Sequence, residues 1–252
     1  MSSIARRDLL MGAGIAMAGL SAPFPGLAGD ARSARRLKVV VTGAHPDDPE
    51  SGCGGTIARY TEAGHDVTIL YLTRGESGIP GTAMNEAARI RTAESLKACE
   101  ILRAKAVFAG QIDGHTELNE TRYAEFRRLL DAENPDVVFT HWPIDTHRDH
   151  RATSLLTFDT WLQDGRKYAL YYYEVDQGSQ TQIYHPTDYV DISTTVECKK
   201  AACWAHASQH PETDFWIMHD AMNRFRGMEG NLKFAEAFIR HCQNPGAGPP
   251  AP

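Results

Sequence analysis

The chain has no run of about 20 consecutive apolar residues, so nothing in it reads as a stable membrane span. It has no excess of basic charge. Lys and Arg number 26 against 32 Asp and Glu, for a formal net charge of −6. No Lys- or Arg-rich run is interleaved with aromatics, so no nucleic-acid partner is expected, because phosphate binding needs a basic patch. Cysteine is scarce. The five (Cys53, Cys99, Cys198, Cys203, Cys242) are odd in number and include no CxxC, so neither a redox pair nor a thiolate zinc site is indicated. They read as small core residues, with no pairing implied. No internal repeat is present.

What is present is an ordinary globular composition, 42% apolar and 23% charged over 252 residues, enough for one sizeable core. The N-terminus stands apart. Arg6-Arg7 precedes a short Gly- and Ala-rich apolar segment, and Gly26 and Ala28 are the small residues before a plausible cut. Residues 1–28 therefore read as a twin-arginine export signal, which implies a periplasmic or extracellular location. A flexible start or an N-terminal anchor is the alternative. Residues 29–36 read as a linker, 37–242 as one domain, and the Pro- and Gly-rich 243–252 as a disordered tail.

Within the domain, strands are predicted at Lys38–Thr42, Asp66–Thr73, Ala104–Ala109 and Pro135–His141. Helices are predicted at Ser51–Ala63, Asn85–Arg103 and Thr121–Glu133, and from near His150. This alternation predicts an α/β fold, Rossmann-like, with a mainly parallel sheet and helices on both faces. Tyr168–Val175 and Asp188–Ile192 read as further strands, and Glu197–Ser208 and Lys233–Arg240 as helices.

Ligands bind such sheets beyond the carboxyl ends of the strands. Three chemically loaded segments fall there: His45–Glu50, Thr73–Gly78 after the second strand, and His141–His150. Ala44–Thr56, AHPDDPESGCGGT, follows the first strand and sets Asp47 beside Asp48, a like-charge pair that a bound cation would relieve. His147-Arg148-Asp149-His150 follows the fourth. An imidazole and a carboxylate from one loop with an imidazole from the other make the ligand count of a catalytic zinc.

These motifs, with FAEAFIR at Phe234–Arg240, closely resemble the PIG-L/LmbE-like family of zinc-dependent de-N-acetylases over residues 38–241. The resemblance implies that His45, Asp48 and His150 hold Zn²⁺, although the donor set also suits other divalent transition metals. It implies Asp47 as general base for the attacking water. His147 would stabilise the oxyanion or protonate the leaving amine, and Asp149 would orient His147. The implied substrate is an N-acetylglucosamine-type amino sugar. The other readings are a zinc amidase acting on a glucosamine conjugate and a non-catalytic sugar-binding protein.

Arg91 resembles a family arginine that reaches the sugar, although Arg91 and Glu94 could equally form a surface ion pair. Asp113 resembles a pocket acid able to hold a sugar hydroxyl, or it is simply a good turn residue. Glu50 either backs the metal ligands or favours the start of the helix. Glu76, on a Gly- and Pro-rich rim loop expected to be mobile, and Trp142 are weaker candidates for ligand contact. His206, Ser208 and Gln209 resemble a family segment near the pocket but read as a helix end. The remaining histidines, His141 among them, show no partner pattern.

Overall fold

The computed structural model describes residues 35–245. The expected export signal, and most of the expected linker and tail, lie outside them. Five parallel strands form first: β1 (Lys38–Gly43), β2 (Asp66–Tyr71), β3 (Lys105–Phe108), β4 (Val137–His141) and β5 (Ala169–Tyr173). Helices α1 (Asp48–Glu62), α2 (Met84–Leu102), α3 (Glu120–Glu133) and α4 (Arg148–Gln163) connect them. Then come β6 (Asp188–Asp191), α5 (Val196–Trp204), α6 (Phe215–Gly230) and β7 (Ala235–Arg240).

The sheet runs β3-β2-β1-β4-β5-β7-β6, and the antiparallel pairings are those that β7 makes with β5 and β6. Strand β1 is central and buried on both faces, which is why it reads as an unbroken Val run rather than an alternating one. Its pleat sends Val39 and Val41 into one core, with Ile57, Tyr71 and Phe139, and Val40 into the other, with Leu70, Phe126 and Leu156. Helices therefore cover both faces, as expected. The strand order reverses between β1 and β4. That crevice is the topological switch point where doubly wound sheets bind ligands.

One expectation fails. Lys233–Arg240 is not a helix; Ala235–Arg240 is strand β7, inserted between β5 and β6. Ala, Glu and Phe together carry no strong β preference, and pairing on both edges overrides local propensity. Helix α6 was not foreseen because it inverts the usual pattern. It buries His219, Asn223 and Arg226 and exposes Ile217, Phe225 and Met228, so apolar periodicity points to the wrong face.

Helix α1 is buried along nearly its whole length, and its glycines let neighbours close in. A Cβ on Gly52 would press into the Tyr173 ring and lie 3.1 Å from the Glu174 carbonyl oxygen. Gly52→Ala is therefore expected to destabilise the fold by about 1–3 kcal/mol, the usual effect of overpacking. Helix propensity alone would give a gain of about 1 kcal/mol. A urea midpoint at or above wild type would refute the close-packing argument. No helix among the described residues is long and apolar enough to cross a membrane, and all five cysteines are unpaired.

Candidate metal centre and active-site pocket

The loops after β1 and β4 meet at the switch point, and their side chains line one pocket of about 400 Å³. His45, Asp47, Asp48, His147 and His150 all reach it, together with Arg91 and Asp113. A larger groove of about 580 Å³ between α3 and α4 contains none of these histidines and none of this chemistry.

Asp48 opens α1 and is buried. Its Oδ2 accepts the His45 backbone N–H at 2.8 Å and lies 3.1 Å from His45 Nδ1. Its Oδ1 is 3.3 Å from Nε2 of His150. One carboxylate thus bridges the two imidazoles singled out in the sequence. Three close groups of potential ligand atoms overlap here: His45, His147 and His150; Asp48, His141 and His150; and His45, Asp113 and Asp149.

Asp47 precedes α1 with φ 107°, a conformation that costs a non-glycine residue on the order of 1–3 kcal/mol. The surroundings hold it there. Its N–H donates to Glu50 Oε2 at 3.2 Å, and its Oδ2 accepts from Arg91 Nη2 at 2.6 Å. The same guanidinium donates to the Pro46 carbonyl oxygen. Arg91 is therefore a buried partner of Asp47 as well as a pocket residue, not half of a surface pair with Glu94. Glu94 instead accepts from the backbone N–H and the hydroxyl of Ser208, each at 2.7 Å.

Glu50 both caps the start of α1, where its Oε2 accepts the Asp47 N–H, and backs the loop. Its Oε1 accepts from the Tyr71 hydroxyl at 2.5 Å and lies 3.3 Å from Nε2 of buried His206. The segment His206–Gln209 is thus a brace. It reaches Glu50, Glu94 and, through Gln209 Nε2 at 3.0 Å, the Gly78 carbonyl oxygen on the rim.

Asp149 turns its carboxylate away from His147. Its carboxylate accepts from Thr116 Oγ1 at 2.6 Å and Gly114 N–H at 2.7 Å and faces His45 Nε2 at 3.4 Å. Its contact with His147 is instead through the backbone: the Asp149 N–H donates to His147 Nδ1 at 3.3 Å. This still fixes the His147 ring, as the side-chain cap of α4. Asp113 lies 3.2 Å from His45 Nε2 and accepts from Ser77 N–H at 3.1 Å.

Glu76 is a buried staple that accepts from the Asp113 N–H at 3.0 Å, so the rim loop expected to be mobile is pinned. Trp142 is not a sugar platform at this pocket. Its ring meets Tyr172 and Tyr184 edge-on, and its indole N–H donates to the Gln182 carbonyl oxygen.

Two residues were missed. His141 ends β4 and stacks on His150 with centroids 4.1 Å apart, while its Nε2 accepts the Ala44 N–H at 3.1 Å. That bond occupies the nitrogen a cation would need. Asp145 lies 3.2 Å from His150 Nδ1 and accepts from His147 N–H at 2.7 Å. A carboxylate behind an imidazole in this way fixes its orientation and raises its basicity. His141 was findable by the strand-end rule that singled out His45; Asp145 carried no motif of its own.

The electrostatics follow from crowding. Burial pushes His45 down, but Asp48, Asp113 and Asp149 outweigh it and hold it well above the ordinary histidine range. Burial likewise opposes Asp48 and Asp145 at His150, which is raised to about 9. Burial lifts Asp47 to about 6 against the pull of Arg91. Burial, then His150, lowers His141 to about 4, and burial with His45 lowers His147. An imidazole ligates only when neutral, so a cation bound here would displace the protons on His45 and His150.

The family model described as GlcNAc-PI de-N-acetylase, PIG-L, matches residues 40–161, which include both loops. The chain is 32% identical over 218 residues to the diacetylchitobiose deacetylase of Thermococcus kodakarensis, covering 79% of this chain and 81% of that protein. It superposes on the conserved protein TT1542 of Thermus thermophilus with a TM-score of 0.73 at 29% identity, covering 84% and 97% of the two chains. A 4-carboxy-2-hydroxymuconate hydratase of Pseudomonas putida shares the fold at a TM-score of 0.73 and 20% identity, over 85% of this chain and 100% of that one. The fold alone therefore does not choose the reaction. Matched over most of its length and in both loops that build the pocket, the chain belongs to the PIG-L de-N-acetylase family.

Proposed function

We propose that this chain is a metal-dependent hydrolase that removes the acetyl group from an N-acetylglucosamine-type substrate. One observation carries the reading. A strained Asp47, held by Arg91, stands beside the donors His45, Asp48 and His150 in a single pocket. A sugar-binding protein without turnover would have no use for a carboxylate fixed in this way.

The donors suit a divalent transition metal. Each imidazole faces its own oxygen of the Asp48 carboxylate, His45 Nδ1 at 3.1 Å from Oδ2 and His150 Nε2 at 3.3 Å from Oδ1, and His150 belongs to two of the three close donor groups. His45, Asp48 and His150 would hold the cation. Two imidazoles and a carboxylate favour Zn²⁺ and admit Fe²⁺, Co²⁺ or Mn²⁺. When bound, the metal supplies Lewis acidity, easing loss of a proton from water and polarising the amide carbonyl.

The residues of the chain supply the rest. Asp47 accepts the proton of the attacking water. His147 Nδ1 accepts the Asp149 N–H, so in the neutral ring the proton sits on Nε2. That N–H can donate a hydrogen bond to the developing oxyanion, and the proton that Asp47 took from water is then passed to the leaving amine. Arg91 keeps Asp47 ionised and aimed.

Purified full-length protein is expected to contain about one divalent metal per chain, the number a single three-ligand site holds. It should release acetate from N-acetylated glucosamine sugars, lose that activity to a chelator, and regain it with Zn²⁺. Metal-free protein whose activity ignores chelation would overturn the reading. Arg91→Gln should leave metal content intact and lower kcat on the order of tenfold or more, because one charge-assisted hydrogen bond to the base is lost. Unchanged kcat would remove Arg91 from the machinery.

A further inference from the structure

Beyond the proposed metal ligands, their carboxylate neighbours, His147 and Arg91, the pocket wall is uncharged. Ser77 and Gly78 come from the loop after β2, Gly114 from the loop after β3, Gln180 from the loop after β5, and Gln209 from the short 3₁₀ turn after α5. Among the described residues, the lone Lys or Arg lining the pocket is Arg91, which is 3% exposed and committed to Asp47 and the Pro46 carbonyl. Asp47, Asp48 and Asp113 also line it. Three carboxylates against one guanidinium and a divalent cation leave no positive charge to compensate a second anion. A charge taken into such a site without a partner is strongly disfavoured.

The wall is preformed. The backbone of the loop after β5 is tied to the segment before His147: Thr146 N–H donates to the Gln180 carbonyl oxygen at 3.0 Å, and Gln182 N–H to that of Ile144 at 3.0 Å. The Thr181 hydroxyl donates to Asp145 Oδ2, also at 3.0 Å. The Gln180 side chain takes no part in this. It lines the pocket, and its Oε1 is buried without a hydrogen-bond partner. A buried acceptor left unpaired is costly, and a ligand donor would satisfy it. Gln209 lines the same wall and is fixed by the bonds from its Nε2 to the Gly78 carbonyl oxygen and the Ser208 hydroxyl.

We infer that this wall is a subsite for an uncharged, hydroxyl-bearing sugar residue joined to the N-acetylglucosaminyl unit, with Gln180 reading one of its hydroxyl groups. It selects against substrates that carry a phosphate or carboxylate at that place. The inference rests on the deacetylase reading above, which supplies the acetamido end.

The test compares N,N'-diacetylchitobiose, which is neutral, with N-acetylglucosamine 1-phosphate, which is anionic, on the Zn²⁺-loaded full chain. The neutral sugar is expected to have a kcat/KM at least about tenfold higher. Gln180→Ala should raise its KM about tenfold, the weight of one hydrogen bond, with a smaller effect on kcat. Gln180→Lys should narrow the gap between the two sugars by supplying the missing cation. The loop is held by backbone atoms of residue 180, so these variants should fold. Calorimetric binding of both sugars to Asp47→Asn protein reads the subsite without turnover. If neither sugar is cleaved yet the neutral one binds more tightly, the deacetylase reading falls and the subsite stands. If the anionic sugar binds or reacts as well as the neutral one, if the neutral sugar does not bind, or if Gln180→Ala changes neither KM nor binding, the subsite is refuted.

Discussion

Asp47→Asn protein is expected to keep its metal and lose about 10²–10⁴ in kcat, the usual range for removing a positioned general base. Asp48→Ala protein is expected to lose the metal. The two residues are adjacent in sequence, but the backbone separates them. Asp47 sits at φ 107° and turns its carboxylate to Arg91, whereas Asp48, the first residue of α1, turns to His45 and His150. The amide introduced by Asp47→Asn would still accept from Arg91 but would no longer take a proton. Alanine in place of Asp48 would remove the oxygens that bridge the two imidazoles and leave two ligands where three are proposed. Metal stoichiometry and kcat, measured on both variants side by side, decide the matter. A metal-free Asp47→Asn, or a fully loaded Asp48→Ala, would reverse the assigned roles. If both are loaded and active, the hydrolase reading fails.

The part of this site that was legible in the sequence was the part set by strand ends. The Val run of β1 and the Val-Val-Phe of β4 announce buried parallel strands. A doubly wound sheet then brings whatever follows such strands to a common edge. That rule placed His45, Asp47, Asp48, His147, Asp149 and His150 together without any coordinates. It could not say which way each side chain turns. Asp149 was expected to orient His147; it meets that ring through its amide, while Thr116 and Gly114 claim its carboxylate. Contacts made by segments far along the chain were not legible either. His206 behind Glu50 and the loop carrying Gln180 both come from beyond β5, outside the two motifs. The misread strand β7 and the unforeseen α6 fail for a shared reason. Both bury polar groups against α1 and its neighbours, so their polarity records internal pairing rather than exposure to water.

Glu236 is the clearest of these buried groups, and its removal is expected to cost about 3–5 kcal/mol, the range for orphaning one half of a buried ion pair. It sits within β7, where a carboxylate is out of place unless compensated. The compensation comes from α5 and α1. Lys199 Nζ of α5, itself 1% exposed, is 2.7 Å away. The amides of Gly55 and Thr56 in α1 donate to its two oxygens at 2.9 and 2.8 Å. Lys199 also donates to Asn223 of α6 at 2.9 Å. Glu236→Ala would leave an ammonium buried with a single amide partner and would take the carboxylate from two amides of the helix whose first residue is Asp48. The urea midpoint should fall accordingly, with the slope unchanged if unfolding stays two-state. Adding Lys199→Met should recover part of the loss, because replacing both members of a buried pair is far less costly than removing one. The coupling of the two substitutions should be at least about 1 kcal/mol for residues in direct contact. A single-mutant loss below about 1 kcal/mol, or strict additivity in the double mutant, would show that the α1 amides and Lys199 do not depend on this carboxylate. Metal content measured on the folded fraction of Glu236→Ala then separates two effects. If it is normal, the carboxylate stabilises the fold alone. If it is reduced, the carboxylate also holds the start of α1, and with it Asp48, in register with His45 and His150.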